Sequence, residues 1–144
     1  MELLDRRKLL ISLSNPDMSI DYLVSISGTI ETQDFTEEMT RLSGTADYLR
    51  SIEVLVHYVP DRLILDDGSI NEYFNYYQEN MPKQIEELGI NLLGDFNNEL
   101  VPRWIKIFLT VQNTQKEKIK ELSFFDSQPN FENCNLLSSI RDRT

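Results

Sequence analysis

The stretch Ile105-Lys106-Ile107-Phe108-Leu109-Thr110-Val111-Gln112 decides how the chain folds. Its apolar residues Ile105, Ile107, Leu109 and Val111 fall on one side of an extended backbone. Lys106, Phe108, Thr110 and Gln112 fall on the other, which is the period-two pattern of a strand. Pro102 stands just before it, and Asn113-Thr114-Gln115 supplies turn residues after it. Residues 116–125 can pair back as a further strand or form a short helix, because their alternation is less regular. The remaining segment, residues 126–144, is expected to fold back through Phe131, Leu136, Leu137 and Ile140.

Upstream the period changes. Ile85, Leu88, Leu92, Phe96 and Leu100 recur at helical spacing, and Pro82 suits the first position of that helix. Before it, Asp66-Asp67-Gly68 is turn chemistry, and Ser69-Ile70-Asn71-Glu72 has the spacing of a capping box. A helix is therefore predicted to start there and to carry Ile70, Tyr73, Phe74 and Tyr77 inward, as core. Residues 51–60 alternate again, with Ile52, Val54, Val56 and Tyr58 on one side, and Pro60-Asp61 stops them. A first strand is read from Ile20, with Tyr22, Val24, Ile26 and Ile30 opposite Asp21, Ser25, Ser27 and Thr29. Between these two strands, residues 31–47 show no clear period and read as a long connection or a poorly formed helix. The order is strand, strand, helix, helix, strand, strand. Sequential strands tend to pair as antiparallel neighbours, so the expected fold is α+β, a four-stranded antiparallel sheet with both helices on one face.

A length of 144 residues suits one domain, with a core over about residues 15–125 and a tail at 126–144. The net charge of −10 disfavours direct nucleic-acid binding. Leu9-Leu10-Ile11 is broken by Ser12 and Ser14, too short for a secretion signal or a membrane span, and a cytoplasmic protein is expected. The single cysteine, Cys134, excludes an internal disulfide and a thiolate metal cluster; it lies among asparagines and reads as an incidental thiol.

No glycine-rich phosphate loop is present. The lone histidine, His57, is read as a strand residue on the less buried face, and it leaves little material for a metal site or a catalytic triad. Asp66-Asp67 and Glu86-Glu87 are the acid pairs that can meet in a pocket, although acids near helix N-termini more often serve as helix-end charges.

The element order is that of the tunnelling fold, whose members include enzymes that bind purines and pterins. Several segments sharpen this likeness. They are Asn15-Pro16 followed by Asp21-Tyr22-Leu23-Val24, the strand end Val56-His57-Tyr58-Val59-Pro60-Asp61, and Asp66-Asp67-Gly68-Ser69-Ile70. Tyr73-Phe74-Asn75-Tyr76-Tyr77-Gln78, Asp95 and Leu100-Val101-Pro102-Arg103-Trp104-Ile105 complete the set. Over about residues 15–112 the chain resembles the NADPH-dependent 7-cyano-7-deazaguanine reductases, the nitrile reductases of queuosine biosynthesis.

In that family a cysteine forms a covalent thioimide with the nitrile, an acid supplies protons and NADPH delivers hydride. The matching stretch here runs from Arg41 to Arg50 and holds no cysteine. The resemblance places Ser43 at the thiol's position and Arg50 at the acid's. A serine alkoxide is not accessible near neutral pH without a base, so Ser43 is a poor replacement. The resemblance further places Glu86 where the family's glutamate anchors the ring N–H and amino group of a purine-like ligand. Asp66, Asp67 and Ser69 fall in the cofactor segment, with Gly68 where a lysine would meet phosphate. It thus implies a homo-oligomer that binds a purine- or pterin-like molecule with the thioimide chemistry lost, needing NADPH only if activity survives. The alternatives are an active reductase or other purine or pterin enzyme, and a structural oligomer with no ligand. No metal site and no membrane partner are expected.

Overall fold

The computed structural model describes residues 3–32, 50–113 and 117–138. Ser43, the irregular connection 33–49, Thr114-Gln115 of the expected turn and Ile140 lie outside the described residues, as does the side chain of Arg50.

The deciding stretch forms β5 (Trp104–Gln112), with Ile105, Ile107 and Leu109 fully buried. On one side it pairs with β3 (Arg50–Val59), and on the other with β6 (Lys118–Ser127). The strand β2 (Val24–Thr32) completes a sheet of order β2-β3-β5-β6, every pairing antiparallel. Of the two readings of residues 116–125, the strand is the one formed. Its irregular alternation has a local cause: Gln112 lies opposite Lys118 and Val111 opposite Lys120, so Ile119 is an unpaired bulge. The first strand begins at Val24 and not at Ile20. Asp21 bonds Arg103 and Tyr22 donates to Asn15, so residues 20–23 pack as a loop.

The helices α2 (Ile70–Glu79) and α3 (Ile85–Leu100) cover one face of the sheet. Their predicted stripes are buried, among them Tyr73, Phe74 and Tyr77 on α2 and Leu88, Leu92 and Phe96 on α3. The layers approach closely at two glycines. A methyl on Gly28 would overlap the ring of Phe74, and one on Gly89 the ring of Phe124. Two helix starts differ from expectation. The capping box does not form, because the Ser69 hydroxyl donates to the Asp66 carbonyl at 2.8 Å and accepts from the Ile11 N–H at 3.2 Å. The second helix begins at Ile85 and not at Pro82, with Gln84 extended before it. It ends at Val101, a β-branched residue in the left-handed region with φ 44°.

The N-terminal arm was not foreseen as structure. It forms α1 (Leu3–Arg7) and β1 (Ser12–Ser14), which pairs with β4 (Leu63–Leu65). The tail does fold back as expected. It forms α4 (Cys134–Leu137), and Phe131, Leu136 and Leu137 pack on Val59 and Trp104 over one end of the helix-free face. We call this the lower end of the sheet; Ile52 and Val111 mark the upper end. His57 does point to the helix-free side, but it is wholly buried there, contrary to expectation. Its Nδ1 lies 2.7 Å from Ser25 Oγ on β2, and Phe108 of β5 meets it edge-on. Among the described residues no helix is long and apolar enough to cross a membrane.

Candidate functional site

α2 runs up the sheet and α3 runs back down, so the first turn of α3 lies at the upper end. That turn carries Glu86, whose side chain is half-exposed. Its Oε2 accepts a hydrogen bond from Lys120 Nζ of β6 at 2.5 Å. The ammonium holds the Glu86 carboxyl below the usual glutamate range, so it is a carboxylate at neutral pH. Strand β2 ends at Thr32 and β3 begins at Arg50 at this same end. Arg50 and Glu86 therefore share one end of the sheet.

Asp66, Asp67 and Ser69 do not. They form the turn between β4 and α2 at the lower end, with the length of α2, about 15 Å at 1.5 Å per residue, between them and the end that carries Glu86. Ser69 is buried, with its hydroxyl engaged at both its donor and acceptor sides, and the Asp66 N–H is tied to the Ile11 carbonyl. Two carboxylates stand beside it where a dinucleotide phosphate needs a cation. The residues present do not fit NADPH at this segment. Cys134 is exposed and also at the lower end, on α4.

Three of the segments that carry the resemblance, those with Asn15 and Asp21-Tyr22, with Asp61 and with Arg103, meet in one cluster at the lower end. Arg103 binds Asp21 at 2.5 Å, the Met18 carbonyl at 2.7 Å and Asp61 at 3.4 Å. Asn15 donates to the Asp61 carbonyl and accepts from the Tyr22 hydroxyl. The tail closes the cluster, with Gln128 donating to Asp61 and Asn133 to Asp21. Sequence reasoning missed both tail residues. Asn133 and Asp21 are 112 positions apart, and no local pattern signals such a contact.

Sequence reasoning also missed a charge whose hydrogen-bonding sites are all filled. Asp95, on α3, has no exposed surface and accepts four hydrogen bonds. Arg6 supplies two, at 2.6 and 2.8 Å, Arg7 one at 2.8 Å and the Tyr73 hydroxyl one at 2.5 Å. The bond to Asp95 raises Arg6 further above its usual range, so its charge is permanent. Burial pushes the Tyr73 and Tyr77 hydroxyls well above the tyrosine range, which keeps both as donors. A carboxylate has about four lone-pair sites, and here all are taken. Asp95 is therefore a clamp on the N-terminal arm.

On the helix-free face an open hollow of about 240 Å³ is lined by Leu55 and Phe108 together with Glu53, Gln112, Lys118 and Glu121. Of the predicted site residues that are described, Asp66, Asp67, Ser69 and Glu86 do not line it. Among the described residues, no group of three or more His, Cys, Asp or Glu side chains comes together as a metal site.

No family model and no curated protein matches the chain. Among solved structures, it is similar to the crystal structure of the archaeosine synthase QueF-Like in the apo form. The TM-score is 0.55 at 18% sequence identity, covering 74% of this chain and 94% of that one. At that identity the likeness shows the fold, and it agrees with the element order and sheet topology described above: the chain has the tunnelling fold.

Proposed function

We propose that the chain binds a purine- or pterin-like heterocycle through Glu86, as a divergent relative of the 7-cyano-7-deazaguanine reductases in which the thioimide chemistry is lost. The observation that carries this reading is Glu86 itself, an ionised, solvent-reaching carboxylate at the first turn of α3, on a fold shared with an archaeosine synthase. Its two acceptor oxygens match the two adjacent donors of a guanine-like edge, a ring N–H and an amino group.

The loss of covalent chemistry is supported by the thiol count and its placement. The chain's one cysteine sits on α4, at the opposite end of the sheet from Glu86, so no thiolate of the same chain reaches a ligand held there. NADPH has no role in this reading, because the segment that would hold it presents carboxylates and a buried serine. Self-association belongs to it: among the described residues β2 and β6 each have a strand on one side alone, and pairing these edges between copies removes exposed backbone donors and acceptors. Sedimentation analysis should show an oligomer, and a monomer would count against this part.

Calorimetric titration with 7-cyano-7-deazaguanine, run beside a Glu86→Gln variant, tests the binding. Heat that the variant loses supports the anchor. No heat with the unmodified protein overturns the deazaguanine reading and leaves a pterin-like ligand or a purely structural oligomer.

A further inference from the structure

Lys120 reaches Glu86 through an irregularity of the sheet. In a regular ladder, the residue two beyond Lys118 would share its side of the sheet, the helix-free side that Lys118 shares with Gln112 and Glu121. The bulge at Ile119 shifts the register by one, so Lys120 faces the helices opposite Val111 and meets the first turn of α3. Bulges re-aim side chains in this way, and they recur next to functional sites. Lys118 keeps the other side, where it pairs with Glu121 at 2.7 Å.

The resulting pair is unusual in what it offers a ligand. Both side chains reach solvent, with Lys120 29% and Glu86 51% exposed, so neither is sealed into the core. A carboxylate only accepts hydrogen bonds and an ammonium only donates them. Side by side they present two acceptors followed by a donor, with the ammonium on the Oε2 side. A guanine-like or pterin-like edge carries the complement in the same order: amino donor, ring N–H donor, ring carbonyl acceptor. Resting on the reading of Glu86 as the anchor, we propose that Lys120 recognises the ring carbonyl beside the anchored N–H, so that the Glu86–Lys120 pair selects 2-amino-oxo heterocycles. The carboxylate alone would read two of the three edge groups, and Lys120 completes the set.

The test is a cycle between one atom of the ligand and one residue. The probes are 7-cyano-7-deazaguanine and its 6-thio counterpart, which keeps both donors and replaces the carbonyl oxygen by a weaker acceptor. Each is titrated into the unmodified protein, Lys120→Met and Lys120→Arg. Methionine keeps the apolar stem and removes the charge; arginine keeps a donor. The unmodified protein should favour the oxo ligand by about ten-fold, the size expected for a hydrogen bond to a charged group. Lys120→Met should bring that preference close to one, and Lys120→Arg should retain most of it. The larger sulfur affects all three proteins alike, so the ratio of ratios isolates the contact. A preference that survives in Lys120→Met overturns this inference and leaves the anchor standing. Tighter oxo binding by Lys120→Met also overturns it, since the lysine would then be blocking the acid. Failure of the unmodified protein to bind either probe overturns the anchor, and this inference with it.

Discussion

Asp95→Asn should be among the most damaging single substitutions in the described core. Asp95 is wholly buried and accepts from Arg6 twice, from Arg7 and from Tyr73. Asparagine retains one acceptor oxygen and turns an amino group toward guanidinium donors. It also leaves two arginines, 11% and 22% exposed, without their counter-charge. Breaking a buried pair from one side costs about 3–5 kcal/mol, a large fraction of the roughly 5–15 kcal/mol that keeps a domain folded. In urea, with a slope of about 2 kcal/mol per molar, that moves the unfolding midpoint down by about 2 M. Arg6→Met should cost less, because Arg7 and Tyr73 still satisfy the acid. In the Asp95→Asn background, Arg6→Met should add little, since the interaction is already gone. Chemical unfolding followed by tryptophan fluorescence reads all four proteins, Trp104 being the only tryptophan and buried in the fold. A midpoint shift below about 0.5 M for Asp95→Asn, which that slope makes about 1 kcal/mol, would refute the clamp, as would strict additivity of the two substitutions.

Other outcomes follow from local geometry. Gly28→Ala should destabilise by about 1–3 kcal/mol, as overpacking does, because its methyl meets the Phe74 ring, whereas Gly68→Ala, with open space around it, should be close to neutral in thermal melts. Val101→Gly should raise stability by about 1 kcal/mol, because it removes a left-handed β-branched residue at an exposed position. Glu86 has its carboxyl lowered in the folded chain by Lys120. The stabilisation from this pair is therefore present above the unfolded glutamate range and lost as pH falls through the folded value. Carboxyl NMR titration should find Glu86 below an ordinary glutamate in the unmodified protein and back in that range in Lys120→Met.

How much of this was legible in the sequence varies with the range of the forces involved. Ile105, Ile107, Leu109 and Val111 on β5, and Leu88, Leu92 and Phe96 on α3, are periodic and buried, and periodicity is a local signal. Lys120 defeated the same reading, because the bulge at Ile119 breaks the alternation that would have placed it. Tyr22 continued an alternating pattern that its hydroxyl bond to Asn15 overrules. The strands β1 and β4 are three residues each, too short for any period, and their pairing of Ser12 with Leu65 is long-range. Ser69 had capping-box spacing, yet its hydroxyl found a closer partner in the Asp66 carbonyl and took up the Ile11 N–H from the arm. Of the candidate site, helical spacing put Glu86 early in the second helix, and the family resemblance singled it out as an anchor. Its lysine and the distance to Asp66, Asp67 and Ser69 required the fold.

The most direct test of binding without covalent chemistry is mass spectrometry of one mixture, the protein with 7-cyano-7-deazaguanine, recorded under native and then denaturing conditions. Binding without covalent chemistry gives a complex in the native spectrum that vanishes on denaturation, leaving the unmodified chain mass. An adduct that survives denaturation, or no complex in the native spectrum, would contradict it.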